Sequence, residues 1–146
     1  MQIALRIVLS LIIVALVYWL YVSITEPYEE IERQKALTEM TRERMGDIRA
    51  SLIRYEEENG RYTASLDSLV MFVKLDSLLT VASDSIFGVG VQPDSLPFSP
   101  RTGNRFILSV NDTSRVSTYL LEDPDSNDRI GTLLGDITLL NASSWE

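Results

Sequence analysis

The chain contains no cysteine and no histidine. A disulfide framework, a thiolate nucleophile and a Cys/His metal site are therefore unavailable. The commonest general base is missing too. A lack of cysteine is compatible with an oxidising compartment. Positive charge is also scarce. Thirteen lysines and arginines face 21 aspartates and glutamates, for a formal net charge of −8. Nothing in such a chain neutralises a row of phosphates, so no nucleic-acid partner is expected. A head lying flat on anionic lipid is disfavoured for the same reason.

What is present begins with a long apolar run. Across residues 1–24, MQIALRIVLSLIIVALVYWLYVSI, the only charged side chain is Arg6. That is about the 20 apolar residues that span a bilayer as a helix. A cleaved signal peptide would also start with a basic residue and an apolar stretch. This stretch outlasts the usual core of about 7–15 residues, and no A-x-A-like site follows it. A buried core helix is the other alternative. Tyr18, Trp19 and Tyr21 cluster at the far end, where an aromatic belt sits, so an uncleaved anchor is expected. Arg6 precedes the span, whereas Glu26, Glu29, Glu30 and Glu32 follow it before the first base, Arg33. The positive-inside rule then predicts a cytoplasmic N-terminus and a head on the other side.

The remaining chain, about 120 residues, suffices for one small domain with a single core. The expected division is an anchor over 1–24, a stalk helix over 25–60 and a head over 61–146. Between Pro27 and Asn59 there is no further proline and one glycine, Gly46, among strong helix formers. Pro27 fits a first helical turn or a kink in a continuing helix. Ile31, Leu37, Met40, Met45, Ile48, Leu52 and Tyr55 recur mostly at three- and four-residue steps. Such a segment reaches about 50 Å. Its apolar face is sparse before Met45 and denser after. The second half is expected to pack on the head, and the first half to be solvated or to meet helices of other subunits. Asn59-Gly60 predicts the helix end. Ser65 is a plausible N-cap for a helix with Leu66, Leu69, Val70 and Val73 on one side, and Tyr62 can fold back against the long helix.

Residues 48–73, IRASLIRYEEENGRYTASLDSLVMFV, carry a resemblance. The arrangement of Ile48, Arg49, Tyr55, Asn59, Gly60, Tyr62, Ser65, Leu66 and Leu69 resembles the end of the long N-terminal helix in type IV pilins and type II secretion pseudopilins. Residues 99–108, SPRTGNRFIL, are similar to the turn that leads into the first sheet strand of those proteins. Tyr119-Leu120 followed by the acidic Asp123-Pro124-Asp125 loop is similar as well. The resemblance implies a membrane helix continuing into a stalk packed on a small antiparallel sheet, a kink near Pro27, and a place in an envelope machine. It departs from the family in two respects. Only a few residues precede the apolar helix, and that helix contains no Glu, so the expectation is a protein that keeps its N-terminus. Thr63 stands where the family commonly has proline.

Residues 75–100 hold three prolines and little periodicity, and are expected to form a long connection with one short strand at 86–91. Strands are then expected at 105–110, 115–122, 130–134 and 136–140. Asn111 to Ser114 supply a hairpin turn, and Gly135 a tight turn between the last two strands. The fold class is thus α+β, with about four strands against the second half of the stalk.

Candidate sites are few. Residues 122–128 concentrate carboxylates in a late loop, and calcium sites of major pseudopilins lie in a comparable one. The EF-type pattern fails here, with Asp128 at its sixth position and Leu134 at its twelfth, so a solvated acidic turn is expected. Four Asp-Ser-Leu/Ile triplets make Ser68, Ser77, Ser85 and Ser95 candidates for bacterial O-glycosylation; the alternative is that Asp and Ser cap turns there. Asn111 and Asn141 match the eukaryotic N-glycosylation pattern and are read as coincidences. Carboxylate pairs such as Glu56 and Glu57 join no nucleophile or base. No catalytic residue, metal, cofactor or small-molecule substrate is expected. The chain reads as a bacterial inner-membrane protein with a periplasmic head, a structural or assembly subunit that meets other subunits through its span and stalk. The alternative is a membrane-tethered periplasmic adaptor that builds no filament.

Overall fold

A computed structural model describes residues 2–76, 92–113 and 116–146, with the backbone alone at 26 and 27. Expectations for 77–91, including the strand at 86–91, lie outside the described residues. The chain divides into two compact units, Met1–Leu37 and Thr38–Glu146. One helix, α1 (Gln2–Asn59), contributes to both. Its backbone is helical through position 27.

Local chemistry ends α1 where the sequence predicts. Gly60 takes a φ of 73°, and its N–H donates to the Glu56 carbonyl at 2.7 Å. The Asn59 side chain donates to the Tyr55 carbonyl at 2.9 Å. These bonds satisfy carbonyls that the helix leaves open. Helix α2 (Leu66–Leu75) starts at Ser65, which has extended backbone and accepts from the Ser68 N–H. Thr63 supports the cap by accepting from the Ser65 N–H at 3.2 Å. Leu66, Leu69, Val70 and Val73 are all buried, so the predicted face is the packed one.

Among the described residues the sheet has three antiparallel strands in the order β1 (Ile107–Asn111), β2 (Thr118–Glu122) and β3 (Arg129–Gly131). Ile107 pairs with Glu122 and Asn111 with Thr118; Leu121 pairs with Ile130. Asn111 accepts from the Thr113 N–H at 3.1 Å, so the predicted turn chemistry opens the β1–β2 connection. The α+β class stands, with a shorter sheet than expected. Met45, Ile48 and Leu52 of α1 pack with Tyr62, Leu66, Leu69, Phe106, Tyr119, Leu121 and Ile130 in one buried core. Burying each such aliphatic chain is worth about 2 kcal/mol. Tyr62 lies against Tyr119 with ring centroids 4.8 Å apart. Val70, Val73 and Leu96 form a smaller cluster with Phe72 against it.

The strand expected at 136–140 is absent. Residues Ile137–Leu139 form a turn of 3-10 helix instead. Asp136 caps it, accepting from the Thr138 N–H at 2.9 Å and hydroxyl at 2.6 Å. Short-range bonding of an Asp side chain outweighed the alternating apolar pattern. Gly135 does have positive φ, 73°, but joins no strand pair. The place beside β3 is filled by residues 142–144. Gly131 N–H donates to the Ala142 carbonyl at 3.0 Å, and Ser144 N–H to the Arg129 carbonyl at 2.9 Å.

Candidate functional site

The apolar run forms the first part of α1, and it is exposed from Gln2 to Tyr21. Ile3 is 74% exposed, Trp19 73% and Tyr21 67%. Lone exposed apolar residues need no explanation, but an unbroken apolar helix surface marks a membrane or protein interface. By length and composition this helix can cross a bilayer. Its hydroxyls fit that solvent. Ser10 donates to the Arg6 carbonyl at 2.9 Å and Thr25 to the Tyr21 carbonyl at 2.8 Å, so both bond one turn back along the helix itself. Beyond the run, Ile31 and Met40 are each 51% exposed.

The residues of the 48–73 motif are mainly structural. Ile48 and Leu52 are fully buried, and Tyr55 meets Phe72 edge-on at 5.0 Å. Arg49 donates to the Asn141 carbonyl at 3.1 Å and to Ser143 Oγ at 3.2 Å, tying α1 to the segment that seals β3. Arg54 donates to Asp76 at 3.1 Å and also binds Glu58, fastening the end of α2.

The acidic loop is solvated in part, with Pro124, Asp125 and Asn127 exposed. Asp123 is buried, accepts from Ser126 Oγ at 2.7 Å, and has Arg101 at 3.4 Å. Asp128 receives Nε and Nη2 of Arg42 at 3.0 Å each, and the Arg42 guanidinium also lies over the Trp145 ring at 5.1 Å. Asp125 accepts from Thr102 and Asn104, and these bonds hold its carboxyl below the usual aspartate range. The carboxylates are thus held by arginines and by side-chain donors. Among the described residues no three Asp or Glu side chains gather as a metal would need. Sequence reasoning missed Arg42 and Arg101. Their partners lie far along the chain; Asp128 is 86 positions from Arg42. The one available signal was the shortage of cations in so acidic a chain.

The serine candidates separate. Ser68 is exposed in the first turn of α2. Ser95 is half-buried; its hydroxyl donates to the Gln92 carbonyl at 2.7 Å and accepts from Arg44 at 3.0 Å. Ser77 and Ser85 lie outside the described residues. In both described triplets the following leucine is a core residue: Leu69 and Leu96 are each 1% exposed. Comparison against protein-family models, curated proteins and solved structures finds no match for this chain.

Proposed function

We propose that the chain is a single-pass membrane protein with a pilin-like head, acting as a structural or assembly subunit of a bacterial envelope machine. One observation carries this reading. A single helix starts as an exposed apolar rod and ends as the central packing element of a small antiparallel sheet domain. In a soluble protein the first part would have no stable environment. In this reading the span crosses the inner membrane, Arg6 lies on the cytoplasmic side, and the acidic residues Glu29, Glu30 and Glu32 emerge on the periplasmic side. The work is mechanical and associative. The span and the exposed stretch around Ile31 and Met40 meet neighbouring helices, and the sheet domain meets neighbouring heads. Among the described residues no group argues for catalysis.

Cysteine pairs tested along 10–40 in intact cells check the proposal. An assembly subunit gives self-cross-links that recur at helical spacing. Cross-links to other proteins alone would replace this reading with a tethered adaptor. Recovery of the chain outside the membrane fraction would overturn both.

A further inference from the structure

Asp-Ser-Leu/Ile triplets recur beyond what composition supplies. Ten aspartates and 16 serines in 146 residues would meet as Asp-Ser about once by chance. They meet five times, and Leu or Ile follows four of those pairs. In the two described triplets most side chains have structural work. Asp67 pairs with Arg105 at 2.6 Å, and Asp94 with Lys74 at 2.6 Å. Leu69 and Leu96 belong to the two buried clusters. The Ser95 hydroxyl is engaged by the Gln92 carbonyl and by Arg44.

Ser68 is the exception. Its backbone N–H donates to Ser65 Oγ at 3.4 Å, but its own hydroxyl has no hydrogen-bond partner among the described residues. Ser65 already caps α2, so the role that commonly explains a serine near a helix start is taken. Ser68 is exposed, and helical spacing sets it on the side of α2 away from the buried Leu66, Leu69, Val70 and Val73. A bulky group at this position meets solvent and disturbs no packing.

We propose that Ser68 is an O-glycosylation site, with Asp67-Ser68-Leu69 as the recognised triplet. The donor is a glycosyl diphosphate. Ser68 Oγ bonds to the anomeric carbon, the bond from that carbon to the diphosphate oxygen breaks, and the diphosphate leaves with the electron pair. The serine proton passes to a base of the transferase, and nothing is oxidised or reduced. Leu69 is 1% exposed in the folded head, so the transferase reads the triplet before Leu69 packs. A sugar on Ser95 would displace Arg44 and break the bond to Gln92, so folded chains carry the sugar at Ser68 and not at Ser95. Phosphate fits poorly at Ser68, because it would stand beside Asp67 and compete with it for Arg105. The inference does not rest on the assembly reading, because a tethered adaptor would present the same serine.

The test is intact mass and peptide mapping of the full-length protein purified from the cells that naturally make it. The native chain should be heavier than its sequence by whole sugar residues, with a sugar mapped to Ser68. Ser68→Ala should abolish the sugar at that triplet, and Asp67→Asn should lower its occupancy at least tenfold. Both positions are exposed, and circular dichroism checks that the variants stay folded. An unmodified Ser68 overturns the proposal, as does a phosphate there or a sugar on Ser95 of the folded protein. Asp67→Asn chains modified as fully as the native chain would overturn the triplet as the recognised unit.

Discussion

Arg44 and Asp47 stand on adjacent turns of α1, and burial acts on both. It lowers the Arg44 guanidinium, which donates to the Ser95 carbonyl at 2.6 Å. It raises the Asp47 carboxyl from 3.8 to about 6, with Arg44 opposing and Glu43 adding to the rise. The sign follows from proton counting. Below about 4 both the native and the unfolded state hold the proton. Between about 4 and 6 the unfolded chain has released it and the native state has not, so stability falls as pH rises through that window, then levels off. Two units correspond to about 3 kcal/mol, and solvent screening of this half-buried group reduces that to about 1 kcal/mol. Asp47→Asn should therefore stabilise the protein by about 1 kcal/mol at pH 7 and by nearly nothing at pH 4. Thermal melts of both chains at the two values check this; a gain equal at both would rule out desolvation as its cause. Individual residues of this kind were the least legible in the sequence. Ser65 and Gly60 act on their immediate neighbours and were readable. The burial of Asp123 beside Arg101 depends on a segment from elsewhere along the chain.

Elements were legible where one local rule governs them. The face of α2 followed from apolar spacing, and the β1–β2 hairpin from its turn residues. Segment 136–140 failed because alternation says only which residues share a side, and the Asp136 cap set a different backbone. Gly131 shows what sequence could not reveal about an element. Its φ is 88°, and a β-carbon there would press on the carbonyls of Tyr119 and Leu140. Gly103 has a similar φ, 76°, with open space around it. Gly103→Ala should cost about 1 kcal/mol, from backbone strain alone. Gly131→Ala should cost about 3 kcal/mol, because strain and overlap combine. Urea unfolding of the full chain measures both. Equal losses would mean that the close approach beside β3 adds nothing.

For the whole molecule, the division between an exposed apolar helix and a packed sheet domain was readable from composition, and so was the α+β class. The number of strands was not, because 136–140 alternates like a strand but turns as 3-10 helix behind the Asp136 cap. The dominant physical term at this scale is the environment of residues 3–24. Arginine at the centre of a spanning helix costs about 3 kcal/mol of insertion free energy. If the run spans a bilayer as proposed, Ile13→Arg should lower the share of the protein in the alkaline-resistant membrane fraction. Ile31→Arg, at an exposed site beyond the apolar run, should leave it there. If Ile13→Arg and Ile31→Arg fractionate alike, the run contributes no more to membrane retention than the segment beyond it.

The bonds from Arg42 to Asp128 and from Arg49 to Ser143 have a further consequence, which concerns rates. They join residues 86 and 94 positions apart. The hydrogen bonds of helix α1 are local, whereas the sheet domain closes on it only when a long loop has been gathered. Such non-local pairing slows folding far more than it affects final stability. Until that closure, Met45, Ile48 and Leu52 stay uncovered on a helix already able to enter a membrane. Slow closure would leave that face open to whatever stands nearby.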